Sequence, residues 1–170
     1  MQNMKTVRKW YWVWQFEEEE AWLNLMAQEG WVLDKVGLGV YHFISCEPGS
    51  YQIALEMRDP EDSYIAFMQD MGAQYVGRIL SWLYWRRPTQ NGPFTLFSDL
   101  DSRIQHLNRI AKTLKGVGIA NLVIGLANSI NPVMPPLGWI NLLCACWVMY
   151  CLGRIQSKLE SLEKDRQLHE

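Results

Sequence analysis

Charge is missing from one long part of this sequence. None of the 16 basic and 18 acidic residues, and no histidine, lies between Gly116 and Gly153 in the chain of 170 residues. Cysteine is also scarce: three of the four cysteines lie inside that uncharged part, which excludes a small disulfide-stabilised domain. The fourth, Cys46, fits a reducing compartment. An uncharged stretch of this length is not typical of a purely soluble chain, and it predicts that part of the protein enters a membrane.

Motifs for several chemistries are also missing. There is no Cys-x-x-Cys or His-Glu-x-x-His spacing, no nucleophile elbow, no P-loop and no dinucleotide-binding glycine pattern. The acidic runs Glu17–Glu20 and Asp59–Asp62 begin predicted helices, where carboxylates cap backbone N–H groups, and this explains them better than a metal site does. We therefore expect no catalytic residue, no cofactor and no metal, and a protein that is not an enzyme.

Two apolar blocks flank a proline-rich turn within the uncharged part. They run over about 111–130 and 137–153, and the prolines of Asn131–Pro136 break any continuous helix between them. At about 1.5 Å per residue, each block just crosses a hydrocarbon core of roughly 30 Å. We predict a transmembrane helical hairpin over 116–153. A buried helical hairpin in a soluble protein is the alternative, but neither block offers a charged face to water.

Basic residues flank the predicted hairpin on both sides. They are Arg103, Arg109, Lys112 and Lys115 before it, and Arg154, Lys158, Lys164 and Arg166 after it. By the positive-inside rule, both termini face the cytoplasm and the proline turn faces outward. We therefore expect a multi-pass protein of the cell membrane, with the lipid bilayer as its partner.

Small and amide side chains within the two blocks are candidates for packing between helices in the membrane. They are Gly118, Asn121, Gly125, Asn128 and Asn141. A second hypothesis gives the asparagines another role. They would line a polar path in a small membrane protein that acts in transport or membrane stress defence as a homo-oligomer.

The residues before the hairpin alternate between strand-like and helix-like patterns. Strands are predicted over 4–16, 31–44 (one long strand or two pieces), 51–58 and 74–87, and helices over 17–30 and 59–71. This order is β-α-β-β-α-β, so the predicted class is α+β with a ferredoxin-like cytoplasmic domain.

The predicted domains follow from these elements. The ferredoxin-like domain covers 1–88 and is followed by a linker over 89–97. An amphipathic pre-membrane helix over 98–115 runs into the hairpin of 116–153, and a short amphipathic tail helix covers 154–170.

Aromatic residues are concentrated on two predicted strands. Trp10, Trp12 and Trp14 share one face of the first strand, and Trp82 and Tyr84 share one face of the last. Because helices cover only one face of an open sheet, we predict that these residues form a face for an apolar ligand or a partner protein. The alternative is that the linker, the pre-membrane helix or an identical subunit covers them.

Nucleic acid is excluded as a partner by charge. Met1–Phe97 carries 8 basic and 12 acidic residues, whereas phosphate binding requires a basic surface.

Four segments of the chain carry a resemblance to a known family when they are taken in order. They are VRKWYWVWQFEEEEAWLNLMAQEGWVL (7–33), CEPGSYQIALEM (46–57), YIAFMQDMGAQYVG (64–77) and GPFTLFSDLDSRIQHLNRI (92–110). Together they resemble the bacterial family catalogued as domain of unknown function 2812. The resemblance implies a small domain before one or more membrane helices. It also implies a regulatory partnership, because genes of this family often neighbour those of PadR-type transcription regulators. The family has no established catalytic residues to carry over.

The expected function is that of a membrane-tethered, non-enzymatic sensing or partner-binding protein that works with a transcription regulator. The transport hypothesis is the alternative. A weaker one is an enzyme acting on a lipid-borne substrate with Glu56, Arg58 or Arg78.

Overall fold

A computed structural model of the chain describes residues 3–97, 99–130 and 135–169. The chain divides into two compact units, residues 1–98 and residues 99–170. The first unit mixes strands and helices and the second is helical, so the predicted α+β class is confirmed.

The first unit contains two small sheets. Within residues 3–97 the strands are β1 Met4–Arg8, β2 Trp31–Gly37, β3 Val40–Ser45, β4 Tyr51–Met57, β5 Gln74–Ile79 and β6 Trp82–Pro88, and the α-helices are α1 Phe16–Gln28 and α2 Asp62–Asp70. Short 3-10 turns cover Val13–Gln15 and Thr89–Asn91. The strands pair antiparallel in the orders β1-β3-β2 and β4-β6-β5.

The ferredoxin-like topology is not confirmed, because six strands replace the four that the sequence predicted. The predicted first strand ends at Arg8, and the predicted strands over 31–44 and 74–87 are both hairpins. The first of these hairpins turns at Leu38 and Gly39 and the second at Leu80 and Ser81. The division of 31–44 into two pieces was one of the two predicted possibilities, whereas the division of 74–87 was not predicted, because neither Leu80 nor its neighbours formed a recognisable turn signal.

The two sheets share one construction, which reveals an internal structural repeat. Each is built from a strand, a helix and a hairpin, and in each the first strand pairs with the last. The pairing shifts after Leu33 in β2 and after Tyr75 in β5, two positions that lie 42 residues apart. The same interval separates Gly30 from Gly72. Each of these glycines follows the end of a helix and has a positive φ.

The residues that follow the first strand of each repeat also correspond. The backbone N–H of Lys9 donates to a carbonyl of the β2–β3 turn at 3.1 Å, and that of Arg58 donates to a carbonyl of the β5–β6 turn at 2.8 Å. Lys9 Nζ lies 4.6 Å from the centre of the Trp22 ring, and Arg58 Cζ lies 3.8 Å from the centre of the Tyr64 ring. The repeat therefore extends to individual cation–π contacts.

The two helices cover different cores. Helix α1 contributes Leu23 and Met26 to a core that also holds Leu33, Phe43, Leu55 and Tyr84, so side chains from both sheets pack around it. Helix α2 contributes Met68 to a second core with Leu83 and Trp85, on the opposite side of β6. Successive side chains of a strand point to opposite faces, and both faces of β6 are therefore covered within the first unit.

Side chains of α1 also bond to the outer edge of β4. Asn24 Nδ2 donates to the Ile53 carbonyl at 2.8 Å, and Asn24 Oδ1 accepts the Ile53 N–H at 2.9 Å. Glu20 Oε2 accepts the Leu55 N–H at 2.8 Å. Three backbone groups on the edge of β4 that no strand pairs are thus satisfied by side chains of a helix.

The second unit consists of two long helices that pack against each other. They are α3 Leu100–Ile130 and α4 Pro135–His169, and Asp99 Oδ1 accepts the Ser102 N–H at the start of α3. The contacts pair Asp101 with Arg166, Gly118 with Met149 and Gly125 with Leu142. These pairs show that the helices run antiparallel and form a hairpin. The predicted pre-membrane and tail segments are continuous parts of α3 and α4.

Candidate functional site

The aromatic residues near the N-terminus lie on a loop and not on a strand. Trp10 to Trp14, here called the tryptophan segment, follows β1 and enters the 3-10 turn before α1. The Trp10 and Trp12 rings meet edge to face with centroids 5.7 Å apart, and the Trp12 and Trp14 rings stack with centroids 5.6 Å apart. The side chains of Trp10 and Trp12 remain 54% and 39% exposed. Indole rings therefore cover one another only in part, and a continuous aromatic surface faces outward.

The second repeat has no counterpart of this segment. Lys9 corresponds to Arg58, and Met26 of α1 corresponds to Met68 of α2. Lys9 and Met26 are 17 positions apart, whereas Arg58 and Met68 are 10 positions apart. The first repeat thus contains a seven-residue insertion, and the tryptophan segment lies within it. Because the second repeat folds without such an insertion, the strand–helix–hairpin unit does not require the exposed tryptophans for folding.

The two aromatic residues predicted on the last strand lie elsewhere. Tyr84 is only 3% exposed and belongs to the core around α1, so it is not part of an accessible face. Trp82 is half-buried and packs against Phe16 at the start of α1, with ring centroids 5.4 Å apart. Of the five residues predicted for a ligand or partner face, Trp10, Trp12 and Trp14 form one surface, and Trp82 borders it through Phe16.

A buried carboxylate lies in the first turn of α1. Glu19 is 8% exposed, and its Oε1 accepts hydrogen bonds from the hydroxyls of Tyr41 and Tyr84 at 2.8 and 2.7 Å. Burial raises the pKa of Glu19, although both hydrogen bonds act in the opposite direction. Burial, with a further contribution from the charge of Glu19, also raises the pKa of each of the two tyrosines.

The neighbouring carboxyl group shares this environment. Burial raises the pKa of Glu20 to about 7, the Leu55 N–H opposes the shift and the charge of Glu17 adds to it. Glu17 and Glu18 are exposed, whereas Glu19 and Glu20 face the core. The acidic run that the sequence presented as one feature therefore has two exposed members, one buried member and one half-buried member.

The residues considered for a lipid-processing enzyme lie in two places: Glu56 and Arg58 both contact Tyr64, and Arg78 lies apart from them on β5. Glu56 is 2% exposed and accepts a hydrogen bond from Trp85 Nε1 at 3.2 Å. Arg58 stacks on the Tyr64 ring, and Arg78 lies exposed on β5. Glu56 and Arg78 share one row across the sheet, but buried Leu83 separates them.

Two further features bear on chemistry, namely possible metal ligands and one cavity. Within residues 3–97, 99–130 and 135–169, no group of three His, Cys, Asp or Glu side chains is placed to hold a metal ion. An open cavity of about 320 Å³ lies where β3 runs into β4, and it is lined in part by Cys46, Tyr51 and Arg86. Arg86 already donates to the Leu33 carbonyl at 2.9 Å and lies 3.7 Å from Asp34, so its charge is partly neutralised.

The predicted packing residues of the hairpin fall into two groups. Gly118 and Gly125 are buried between α3 and α4, and a Cβ atom built at Gly125 would lie 3.0 Å from Leu142 Cδ2. The amides of Asn121 and Asn141 donate instead within their own helices, to the carbonyls of Val117 and Leu137. Asn128 is half-buried near the end of α3.

The hairpin surface is apolar on its outside. Among the residues described between Val117 and Tyr150, fourteen large hydrophobic side chains are more than a third exposed. By length and composition, both helices suffice to cross a membrane, and only 22% and 28% of their most apolar windows is buried. A core helix of a soluble protein would be mostly buried, so this exposure distinguishes the hairpin from one.

Sequence reasoning missed three features of the first unit. It did not identify Glu19 as buried, nor Leu38 and Leu80 as exposed turn residues (67% and 84%). Comparison of the Gly30 and Gly72 regions at the 42-residue interval would have located both turns, because Leu38 and Leu80 are separated by that same interval.

A family model described as "Protein of unknown function (DUF2812)" matches residues 15–119. No curated protein and no solved structure matches the chain.

Proposed function

The chain belongs to the DUF2812 family, a family of unknown function, and we propose that it is a non-enzymatic binding module anchored in a membrane by its helical hairpin. The observation that supports the anchor is the exposure of apolar side chains around α3 and α4. In water each such side chain would cost on the order of 1–2 kcal/mol relative to a buried one. In a bilayer the same surface is solvated by lipid.

The flanking charges support an orientation with both termini in the cytoplasm. One group of basic residues precedes the apolar part of α3, and the other follows Gly153 in α4. Both groups lie at the same end of the antiparallel hairpin. The positive-inside rule places this end at the cytoplasmic face of the cell membrane. The first unit, which precedes α3, is then cytoplasmic as well.

The binding role rests on the tryptophan segment. Loops that a fold does not require carry function more often than framework elements do, and this one is an insertion with two exposed indoles. The protein partner that the family resemblance suggests is a transcription regulator. In this proposal the module senses a condition at the membrane and passes it to that regulator.

Two alternatives receive less support from the structure. In the transport hypothesis Asn121 and Asn141 would face a polar path, but their amides bond to their own helices. In the enzyme hypothesis Glu56 would act as acid or base, but it is enclosed by Trp85 and lies in a core.

The native cysteines provide a test of the anchor. Cys144 and Cys146 are exposed on the surface of α4, so a maleimide–polyethylene glycol reagent would modify them readily in a soluble hairpin. In a Cys46→Ser background, in sealed vesicles with the cytoplasmic face outward, we expect no modification of Cys144 and Cys146 until SDS is added, because lipid excludes the reagent. The control is Ser161→Cys in a Cys46→Ser background, since Ser161 is exposed on the charged part of α4 and should react at once. Rapid modification of Cys144 and Cys146 in intact vesicles would overturn the anchor.

A further inference from the structure

Apolar residues from three separate turns meet at one end of the first unit. A Cβ atom built at Gly77 in β5 would lie 3.4 Å from Val36 Cγ1 in β2. Arg86, which lies opposite Gln74 in β5, donates to the carbonyl of Leu33 in β2. Residue numbers increase together along this contact, so β2 and β5 run in the same direction. The turns that follow them, at Leu38–Gly39 and Leu80–Ser81, therefore lie at the same end, here called the turn end.

The tryptophan segment belongs to the turn end as well. A Cβ atom built at Gly39 would lie 3.1 Å from Trp10 Cε3, so the Trp10 ring lies against the β2–β3 turn. Phe16 joins the other side of the segment to Trp82, directly after the β5–β6 turn. Four strongly exposed side chains thus share the turn end: Trp10 (54%), Trp12 (39%), Leu38 (67%) and Leu80 (84%).

Leu80 is unfavourable there for two reasons. Its φ is +54°, and it is the only non-glycine residue with a positive φ in the described part of the chain. A leucine in this region is strained, and Asn or Gly is the usual choice in a two-residue hairpin turn. Its side chain is also almost fully exposed. A residue that costs the fold both strain and exposure indicates a role outside folding.

We infer that the turn end inserts Trp10, Trp12, Leu38 and Leu80 into the interfacial region of a phospholipid bilayer. This inference rests on the proposed membrane anchor, which supplies the bilayer. Single apolar side chains that project from three turns can enter a deformable lipid surface. Indoles favour this region, where their rings are apolar and their N–H groups reach water and headgroups.

The charges around the turn end predict how insertion depends on lipid composition. Exposed basic residues there are Arg8, Lys9, Lys35 and Arg78, and exposed acidic residues are Glu17, Glu18 and Asp59. The two sets nearly balance, so attraction to anionic headgroups is weak. Insertion therefore depends on the apolar side chains, and it is almost the same on zwitterionic and anionic membranes.

The test uses the full chain reconstituted in vesicles. The background variant carries Trp139→Phe and Trp147→Phe, so that the remaining tryptophans all belong to the first unit. Vesicles of phosphatidylcholine with brominated acyl chains quench indoles that enter the bilayer. We expect a loss of roughly a quarter of the tryptophan emission relative to unbrominated vesicles, because two of the seven remaining tryptophans enter the bilayer, and most of this loss should disappear with Trp10→Ser and Trp12→Ser combined. Replacing a third of the lipid by phosphatidylglycerol should leave the quenching unchanged.

Leu80→Asn separates insertion from folding. Asparagine accommodates a positive φ, so the variant should raise the urea midpoint of the first unit while it reduces quenching severalfold. The matched control is Leu25→Gln, which changes a 56% exposed leucine on α1, more than two helical turns beyond the tryptophan segment. It should leave quenching unaltered.

The outcomes distinguish the inference from the proposed function. If alkaline carbonate extracts the protein from the vesicles, the anchor itself fails. If the protein resists extraction but brominated lipid does not quench it, only the inference fails, and the turn end is then a surface for a protein. Quenching that requires phosphatidylglycerol, or that Leu25→Gln reduces as much as Leu80→Asn, would also overturn the inference.

Discussion

At the scale of single residues, the carboxyl groups of buried Glu19 and half-buried Glu20 in α1 link stability to pH. Two tyrosine hydroxyls donate to Glu19 and a backbone N–H donates to Glu20, and none of these three groups carries a positive charge. Burial is the largest cause of the raised pKa of each group. The folded state therefore binds a proton at these positions more tightly than the unfolded chain does, because the unfolded chain leaves the carboxyl groups in water.

This gives a prediction for Glu20. With a pKa of about 7 in the folded state and 4.5 as the ordinary value, its contribution to stability is complete below pH 4.5 and is lost as the pH rises through 7. We expect the free energy of unfolding of the first unit to fall by about 1–3 kcal/mol across this interval. Glu20→Gln, which stays neutral, should reduce that slope.

Urea unfolding of the full chain in non-ionic detergent, repeated at several pH values, measures this slope. Glu29→Gln is the control, because Glu29 is exposed at the end of the same helix. A Glu20→Gln protein with the same pH dependence as the unchanged protein would show that Glu20 titrates normally.

At the scale of elements, helix α1 takes the place of a strand at the edge of β4. Asn24 contributes both its carbonyl oxygen and its amide group to Ile53, which is the pattern that a neighbouring strand would provide. We expect Asn24→Ala to destabilise the first unit by about 2–3 kcal/mol, because it leaves a backbone donor and an acceptor unpaired. Gln28→Ala, an exposed change on α1, should cost less than about 0.5 kcal/mol. Equal losses in urea unfolding would disprove the edge role of Asn24.

The hairpin gives a prediction about close packing. A Cβ atom built at Gly125 lies 3.0 Å from two Leu142 side-chain atoms and 3.1 Å from its backbone nitrogen, whereas one built at Gly116 meets nothing within 4 Å. Gly125→Ala should therefore push the helices apart and cost about 1–3 kcal/mol, and Gly116→Ala should not. Thermal loss of helicity in detergent, followed by circular dichroism, compares the two variants. If both melt alike, the helices do not depend on contact at Gly125.

Local patterns predicted some elements well and others poorly. The alternation in Tyr51–Met57 identified β4, and the glycine at 72 correctly placed the end of α2. The tryptophan segment was predicted as strand because aromatic residues favour strands, yet this preference reflects packing on a sheet, and here no sheet partner exists. The turn at Leu80 was not predicted, because leucine rarely adopts a positive φ and no sequence propensity indicates this conformation.

At the scale of the whole molecule, the candidate site could be predicted only in part. Trp10, Trp12 and Trp14 were identified from composition, but their association with Leu38 and Leu80 depends on β2 and β5 running side by side. Such a contact joins residues that are far apart in the chain, such as Val36 and Gly77, and no local pattern encodes it. The hairpin was easier to predict, because missing charge over a long stretch follows directly from the cost of burying charge in lipid.

Helices α1 and α2 divide the two sheets of the first unit unequally between them. Helix α1 serves both sheets at once, since its apolar face contacts side chains of β2, β3 and β4. Helix α2 then covers only the remaining face of β6.

The bonds from Asn24 and Glu20 to β4 also limit how copies of this chain can associate. Within residues 3–97, β2 lies beside β5 and α1 occupies the edge of β4, which leaves β1 as the one strand edge open to another chain. Two copies joined through β1 would use up both open edges. Sheet extension would then end at a closed pair and could not continue into a fibril.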